Sequence, residues 1–289
     1  MKANMESADT WGWKPPRAMS KREFESFGRF IQSEFGIKMP PGKKTMLESR
    51  LAKRLRSLGM RSYKEYKEYL FSLKGLEIEM PHLIDAVTTN KTEFFRETKH
   101  FEILSGEILP AWYAEHGGRK PFTVWSAGCS TGEEPYTLAM VLAEFQEVHQ
   151  DFRFQVLGTD ISQEVLQRAK RAVYPEERSR GIPEELRRKY VLRSKDRSKG
   201  LIRIAPELRS LVAFRELNLM GDLGFRERFE AIFCRNVIIY FERPVQESLF
   251  GKITACLTQG GHLFIGHSET LNGMDVPLRQ VRPTVYTKV

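Results

Sequence analysis

One stretch restricts the fold of this chain more than any other: Phe122-Thr-Val-Trp-Ser-Ala-Gly128-Cys-Ser-Thr-Gly132-Glu133-Glu134-Pro135-Tyr136, with Asp160 closing the next apolar run. It reads as a strand, a glycine-punctuated turn and a helix start, followed by a second strand that ends in a carboxylate. That order builds a nucleotide-type pocket, because glycines let the backbone approach a ligand and the acid reaches a ribose diol. The spacing is not the dinucleotide Gly-x-Gly-x-x-Gly. Glu133 and Glu134 also lie where a pyrophosphate would have to sit, and would repel it. A cationic ligand suits such a turn, and S-adenosylmethionine carries an ammonium and a sulfonium but no phosphate.

The pattern around this stretch alternates strands and helices. Apolar runs suited to buried parallel strands are Phe122–Ala127, Phe152–Gly158, Leu211–Leu217, Glu230–Cys234 and His262–Gly266, with helical stretches at Glu133–Gln146, Ser162–Ala172 and Pro244–Leu257. Alternation of this kind specifies an α/β sheet with helices on both faces. The final Pro283-Thr-Val-Tyr-Thr-Lys-Val has strand chemistry and is expected to add an antiparallel edge. Tyr190-Val-Leu-Arg and Gly200-Leu-Ile-Arg-Ile-Ala205 predict a hairpin, hence a small antiparallel β insertion at about residues 175–209.

Upstream the periodicity is helical. Ser20-Lys-Arg-Glu23 fits a capping box, with Phe24, Phe27, Phe30 and Ile31 following at helical spacing. Pro40-Pro41-Gly42 breaks the chain before a second helix, whose apolar stripe is Leu47, Leu51, Leu55 and Leu58 and whose stop is Gly59. Ser62-Tyr-Lys-Glu65 opens a third helix through Leu73, and Pro81 suits the first turn of a fourth running to about Asn90. The expected organisation is a flexible tail over 1–18, carrying Trp11 and Trp13, a helical domain over 19–90 and a sheet domain over 91–289.

At 289 residues, with 41% hydrophobic and 29% charged content, the chain has the composition of a soluble globular protein. No apolar run approaches the roughly 20 residues that span a bilayer, and the amino terminus lacks signal-peptide design, so a cytoplasmic location is expected. Cys129, Cys234 and Cys256 lie far apart, which argues against a disulfide scaffold or a zinc site, and no metal is expected. The net charge is +9, and residues 1–90 hold 17 Lys/Arg against 11 Asp/Glu. Much of that surplus sits in the second helix, where Arg50 and Arg54 share a face beside the leucine stripe. An acidic partner would be attracted there; the blander account is a solvated helix face.

In open α/β sheets, ligands sit over the carboxyl ends of the strands. The residues following them here are Gly128 to Glu134, then Asp160, then Asn218-Leu219, then Arg235-Asn236-Val237 with Tyr240 a turn further on. Two acids, two amides and a leucine suit a ligand with an amine, a diol and a flat base. Singly each has a structural account: Asp160 as a cap, Asn218 in a turn, Glu133 favouring a helix amino terminus. A second cluster, Thr88-Thr-Asn90-Lys-Thr92-Glu-Phe94-Phe95-Arg96-Glu, lies at the domain junction. Paired phenylalanines there indicate core packing, and Arg96 can present its planar fork to a carboxylate.

At these residues the sequence resembles the CheR-type chemotaxis receptor methyltransferases. The resemblance rests on Asn90-Lys-Thr92-Glu-Phe-Phe-Arg96, Ser126-Ala-Gly-Cys-Ser-Thr-Gly-Glu133-Glu-Pro-Tyr, Phe233-Cys-Arg-Asn236-Val-Ile-Ile-Tyr240-Phe and Gly260-Gly-His-Leu-Phe-Ile-Gly-His-Ser-Glu269. It runs from about residue 20 to the end. It implies a class I, Rossmann-like S-adenosylmethionine-dependent methyltransferase domain with an all-helical amino-terminal domain and an inserted β-subdomain. The implied reaction methylates glutamate side chains of chemoreceptors and leaves S-adenosylhomocysteine.

By the same resemblance, Glu133 would face the cofactor's methionine portion and Asp160 its ribose. Asn218 and Leu219 would lie by the adenine, and Asn236 and Val237 would complete the pocket. Asn90, Thr92 and Arg96 would border cofactor and incoming glutamate, with Arg96 orienting it and Tyr240 donating a positioning hydrogen bond. Arg50, Lys53 and Arg54 would dock the acidic methylation helices of membrane chemoreceptors. The expected protein is a monomer without nucleic-acid partner or membrane insertion, recruited to receptor arrays.

Three rivals are weaker. An amino-directed nucleic-acid methyltransferase would show prolines after the fourth strand, which Arg235-Asn236-Val237 lacks, and a carbon-directed one would need a nucleophilic cysteine. Cys234 lies inside an apolar strand and is expected to be buried and inert. A module that only senses the cofactor would not need Arg96 and Tyr240, and an NAD-dependent enzyme conflicts with Glu133 and Glu134.

Overall fold

The computed structural model describes residues 15–289, so the expectations for Trp11, Trp13 and most of the tail fall outside the described residues. Contacts divide the chain into two compact units, with the boundary between Thr88 and Thr89.

The first unit is helical: α1 (Lys21–Phe35), α2 (Lys44–Leu58), α3 (Tyr63–Leu70) and α4 (Leu73–Val87). The capping box forms as the sequence specifies, with Ser20 Oγ accepting from Glu23 N and Glu23 returning to the Ser20 amide. Gly59 ends α2 in the left-handed region at φ 68°. Leu47, Leu51 and Leu55 are fully buried, each contributing about 1.5–3 kcal/mol of burial. The fourth helix departs from expectation. It starts at Leu73, two turns before Pro81, because Ser72 Oγ caps it by accepting from Gly75 N at 3.0 Å. Pro81 therefore sits inside the helix and forgoes one main-chain bond.

The second unit is built on a seven-stranded sheet in the order β6-β2-β1-β7-β8-β10-β9. The strands are β1 (Phe122–Ala127), β2 (Phe154–Asp160), β6 (Val212–Glu216), β7 (Phe229–Cys234), β8 (Leu257–Ile265), β9 (Leu278–Arg282) and β10 (Val285–Lys288). The five from β6 to β8 pair in parallel, and β10 and β9 run antiparallel. The carboxy-terminal strand is therefore not the edge. It is enclosed by β9, whose Arg279 and Arg282 make it a charged edge that discourages further pairing.

Helices α5 (Lys99–Ile103), α6 (Leu109–His116), α7 (Glu133–Val148), α8 (Gln163–Arg171) and α11 (Arg243–Ala255) cover the sheet. A wide helical turn, Leu104–Ile108, joins α5 to α6, and Leu104, Leu109 and Trp112 from this run enter the core. The insertion contains a three-stranded antiparallel sheet, β3-β5-β4, rather than a lone hairpin. Val191–Arg193 (β4) and Leu201–Ile204 (β5) form the expected pair, and Val173–Pro175 (β3) adds the third strand on the other side of β5. Helices α9 (Glu184–Tyr190) and α10 (Pro206–Arg209) complete this subdomain.

Candidate functional site

The turns after β1 and β7 meet. Gly128 adopts φ +75°, and a Cβ built on it would lie 2.5 Å from Val237 Cγ2. The Gly128 and Cys129 amides both donate to Thr159 O at 2.8 Å, which ties this turn to the end of β2. Gly128→Ala combines a left-handed non-glycine residue with a clash against Val237. It should weaken cofactor binding by about tenfold or more, equivalent to 1.4 kcal/mol, as measured by titration calorimetry; an unchanged Kd would refute the close approach.

Three carboxylates line this end of the sheet, each in a different state. Asp160 is the last residue of β2, accepting from Ser130 N at 2.9 Å and from Ser162 N at 3.0 Å. Glu133, at the start of α7, is 1% exposed. Its oxygens take a hydrogen bond from Thr131 Oγ1 at 2.6 Å and an ion pair from Arg178 Nη1 at 3.0 Å. Burial raises its carboxyl above the ordinary value of 4.5, against the opposing pull of Thr131 and Arg178. Glu134 turns the other way, accepting from Ser126 Oγ at 2.6 Å and from Arg235 Nε at 2.7 Å. The acidic pair read from the sequence thus divides: Glu133 pairs with Arg178 and Glu134 with Arg235.

The Asn90–Glu97 segment lies beside them. Asn90 O accepts from Ser130 Oγ, Thr92 O accepts from Arg178 Nη1, and half-buried Arg96 donates to Lys91 O at 3.1 Å. Phe94 and Phe95 are both buried, against Tyr174 and Phe101 respectively. Phe95 and Glu97 have φ of 56° and 58°, so Arg96 is flanked by two left-handed non-glycine residues. Such backbone costs on the order of 1–3 kcal/mol per residue and persists only where the surroundings over-determine it.

Asn236, at φ 59°, and Val237 follow β7, and Tyr240 ends the short helical turn Ile238–Tyr240. The buried Glu269 carboxylate pins this segment by accepting from Asn236 N at 2.9 Å, Ile238 N at 3.0 Å and Gly266 N at 2.6 Å. Asn218 closes a turn after β6 by accepting from Met220 N, beside buried Leu219. Cys234 is fully buried in β7, and burial pushes its thiol well up, so it is no nucleophile.

The basic residues of α2 behave differently from expectation. Arg50 Nη1 donates to Ala86 O at 3.1 Å and to Thr88 O at 2.5 Å, satisfying carbonyls at the end of α4. Arg54 makes a two-pronged ion pair with fully buried Glu79, at 2.9 Å and 2.7 Å. Of the three expected docking residues, Lys53 alone is exposed; Arg50 and Arg54 make contacts within the helical unit.

Comparison with known proteins decides the family. Residues 90–287 match the CheR methyltransferase SAM-binding domain, and residues 22–88 match the CheR methyltransferase all-alpha domain. The chain belongs to the CheR methyltransferase family. It is 38% identical over 274 residues to a chemotaxis protein methyltransferase of Borreliella burgdorferi, covering 93% of this chain and 95% of that one. It is 36% identical to chemotaxis protein methyltransferase 2 of Pseudomonas aeruginosa, covering 93% of each. With the chemotaxis protein methyltransferase of Escherichia coli it shares 35% identity, over 93% of this chain and 91% of that one.

This CheR protein is therefore an S-adenosylmethionine-dependent methyltransferase, and its strand ends fit that cofactor. Two carboxylates at these strand ends, Asp160 and Glu133, carry the charge that a cationic cofactor calls for, and the Gly128 turn leaves no room for a side chain beside Val237. Glu97, His100 and His267 also bring ligand-type atoms within 4.8 Å of one another. Arg235 already supplies positive charge there: its Nη1 lies 3.5 Å from Glu97 Oε2 and donates to His100 Nδ1 at 3.1 Å. Burial, reinforced by that guanidinium, lowers His100 to about 4, so the ring is neutral.

Sequence reasoning gave no role to Arg178, Thr131, Arg235 or Glu269. The last three lie inside quoted motifs, where Arg235 and Glu269 stand out as charges beside apolar runs. Nothing local connects Arg178, which comes from the insertion, to Glu133.

Proposed function

We propose that this chain methylates glutamate side-chain carboxylates of chemoreceptors, forming methyl esters and S-adenosylhomocysteine. The observation that carries the proposal is the convergence of Glu133, Asp160, Asn236 and the Arg96 turn at one sheet edge, in a chain whose relatives are chemotaxis protein methyltransferases. When bound, S-adenosylmethionine supplies an electrophilic methyl group on a sulfonium, and the carboxylate oxygen takes it as the carbon–sulfur bond breaks. A glutamate with pKa ~4.3 is already ionised at neutral pH, so no base is required. The protein's task is orientation, which can be worth ~7–11 kcal/mol. Arg96 orients the carboxylate and Tyr240 donates a positioning hydrogen bond. Glu133 receives the cofactor's ammonium and Asp160 its ribose; Asn218 and Leu219 border the adenine, with Asn90, Thr92, Asn236 and Val237 closing the pocket.

Docking of acidic receptor helices falls to the exposed side of α2, centred on Lys53. The insertion is separately basic: residues 170–209 hold 13 basic and 6 acidic side chains, enough to steer an acidic partner. Among the described residues no helix is long and apolar enough to cross a membrane. The enzyme acts as a cytoplasmic monomer recruited to receptor arrays, without nucleic acid.

Tritiated methyl transfer to receptor-bearing membranes, released as base-labile ester, is the expected result; transfer to RNA instead would overturn it. The cofactor step also has a pH signature. An ammonium binds the ionised form of Glu133, whose carboxyl is raised by burial, so affinity is full above that raised value and falls as pH drops through it. Folding runs the other way: the protonated group is easier to bury, so its contribution to stability is largest at low pH and declines as pH rises. Calorimetry over a falling pH series should show Kd rising in the native enzyme and flat in Glu133→Gln; parallel curves would exclude Glu133 as the ammonium partner.

A further inference from the structure

We infer that Arg235 is a positioning residue that holds the Arg96 turn in the backbone conformation needed to present the Arg96 guanidinium. This rests on the assignment of Arg96 as the arginine that orients the substrate carboxylate.

The Arg235 side chain is 2% exposed, and its guanidinium is a hub. Nε donates to Glu134 Oε2 at 2.7 Å, and Nη1 donates to Arg96 O at 2.7 Å and to His100 Nδ1 at 3.1 Å. The ring of Phe101 lies 5.1 Å below the guanidinium carbon and that of Phe233 lies 5.7 Å away, fixing its plane. Glu134 in turn accepts from Ser126 Oγ in β1. The hub thus transmits the position of the central sheet to the carbonyl of Arg96.

That carbonyl needs a holder. Phe95 and Glu97 are left-handed on either side of it, a conformation that relaxes unless it is tied down. Other ties surround the turn: Phe95 N donates to Thr137 Oγ1, Thr98 Oγ1 to Phe95 O, and His100 N to Glu97 O. The Arg96 carbonyl itself goes to Arg235. A lysine could keep the charge opposite Glu134 but lacks the planar fork that reaches Glu134 and Arg96 together. The neighbouring Asn236 amide reaches Glu97 Oε1 at 3.3 Å, so the same pair of residues grips the turn at two points.

The test is a double-mutant cycle of Arg235→Lys and Arg96→Ala, with turnover measured at saturating receptor and saturating cofactor. Arg235→Lys alone should lower kcat by about 10- to 100-fold, as expected for a catalytic group displaced by about 1 Å. In the Arg96→Ala background the same change should cost less than about threefold, because nothing is left to misplace. Equal losses in both backgrounds, or a normal rate in Arg235→Lys, would overturn the positioning role. Normal turnover in Arg96→Ala would instead overturn the assignment of Arg96, and this inference with it. Melting temperature and circular dichroism check that Arg235→Lys folds. Should it not fold, Glu134→Gln, which keeps an acceptor for Nε, is expected to give the same non-additive pattern at smaller amplitude; additive losses there would overturn the inference too.

Discussion

Arg96→Ala is expected to lower kcat at saturating receptor by about 10²- to 10³-fold, the usual loss when a preorganised charged donor is removed from a reacting centre. The substrate carboxylate is hydrated in solution and must shed water to approach a sulfonium. A guanidinium offers five N–H donors in a rigid plane, and one of those on Arg96 is spent on Lys91 O. The fork can therefore replace lost water and set the angle of the attacking oxygen. Arg96→Lys should recover only a small part of the rate, because a point charge restores attraction without orientation. Methyl-ester formation timed under single-turnover conditions separates this from slow product release. Wild-type turnover in Arg96→Ala would remove Arg96 from the chemistry.

The second large effect is on stability. Arg54→Ala should destabilise the helical unit by about 3–5 kcal/mol, because it leaves the fully buried Glu79 carboxylate without its guanidinium. Tyr66 OH still donates to Glu79 Oε2 at 3.2 Å, but one neutral donor does not replace a two-pronged ion pair. For a domain of this size the shift corresponds to a fall in Tm of more than about 10 °C. Lys53→Ala, at an exposed position on the same helix, should stay within about 0.5 kcal/mol of wild type while raising the receptor KM. Arg54→Met combined with Glu79→Leu should recover only part of the loss, since the apolar pair removes the buried charge but leaves the Tyr66 hydroxyl without its acceptor. Thermal denaturation of the full chain checks all three; an Arg54→Ala variant as stable as Lys53→Ala would refute the structural role of the pair. The same result shows why neutralising Arg50, Lys53 and Arg54 together would confuse docking with folding.

Much of this protein was legible locally. Hydrophobic periodicity separated helices from strands, Ser20-Lys-Arg-Glu23 specified a capping box that forms, and Gly59 stops α2. Long motifs placed the family and the strand-end residues. Local signals failed where two of them competed. Pro81 suits a helix start by its own chemistry, whereas Ser72 caps the helix two turns earlier. Val173–Pro175 and Leu278–Arg282 are too short or too charged to announce themselves as strands, and they form only because β5 and β10 offer them an open edge.

By itself, then, the sequence determined the α/β class, the glycine turn after β1, the acid ending β2 and the membership of the CheR family. Tertiary structure decided which charges face each other. Glu133 meets Arg178 from 45 residues away, Arg54 meets Glu79 across 25, and Arg235 holds the Arg96 carbonyl across 139. Periodicity and turn chemistry act within a few residues of the chain, so they can be read from it. An ion pair depends on which surfaces the packed core brings together and how far it excludes water, and no stretch of sequence contains that information.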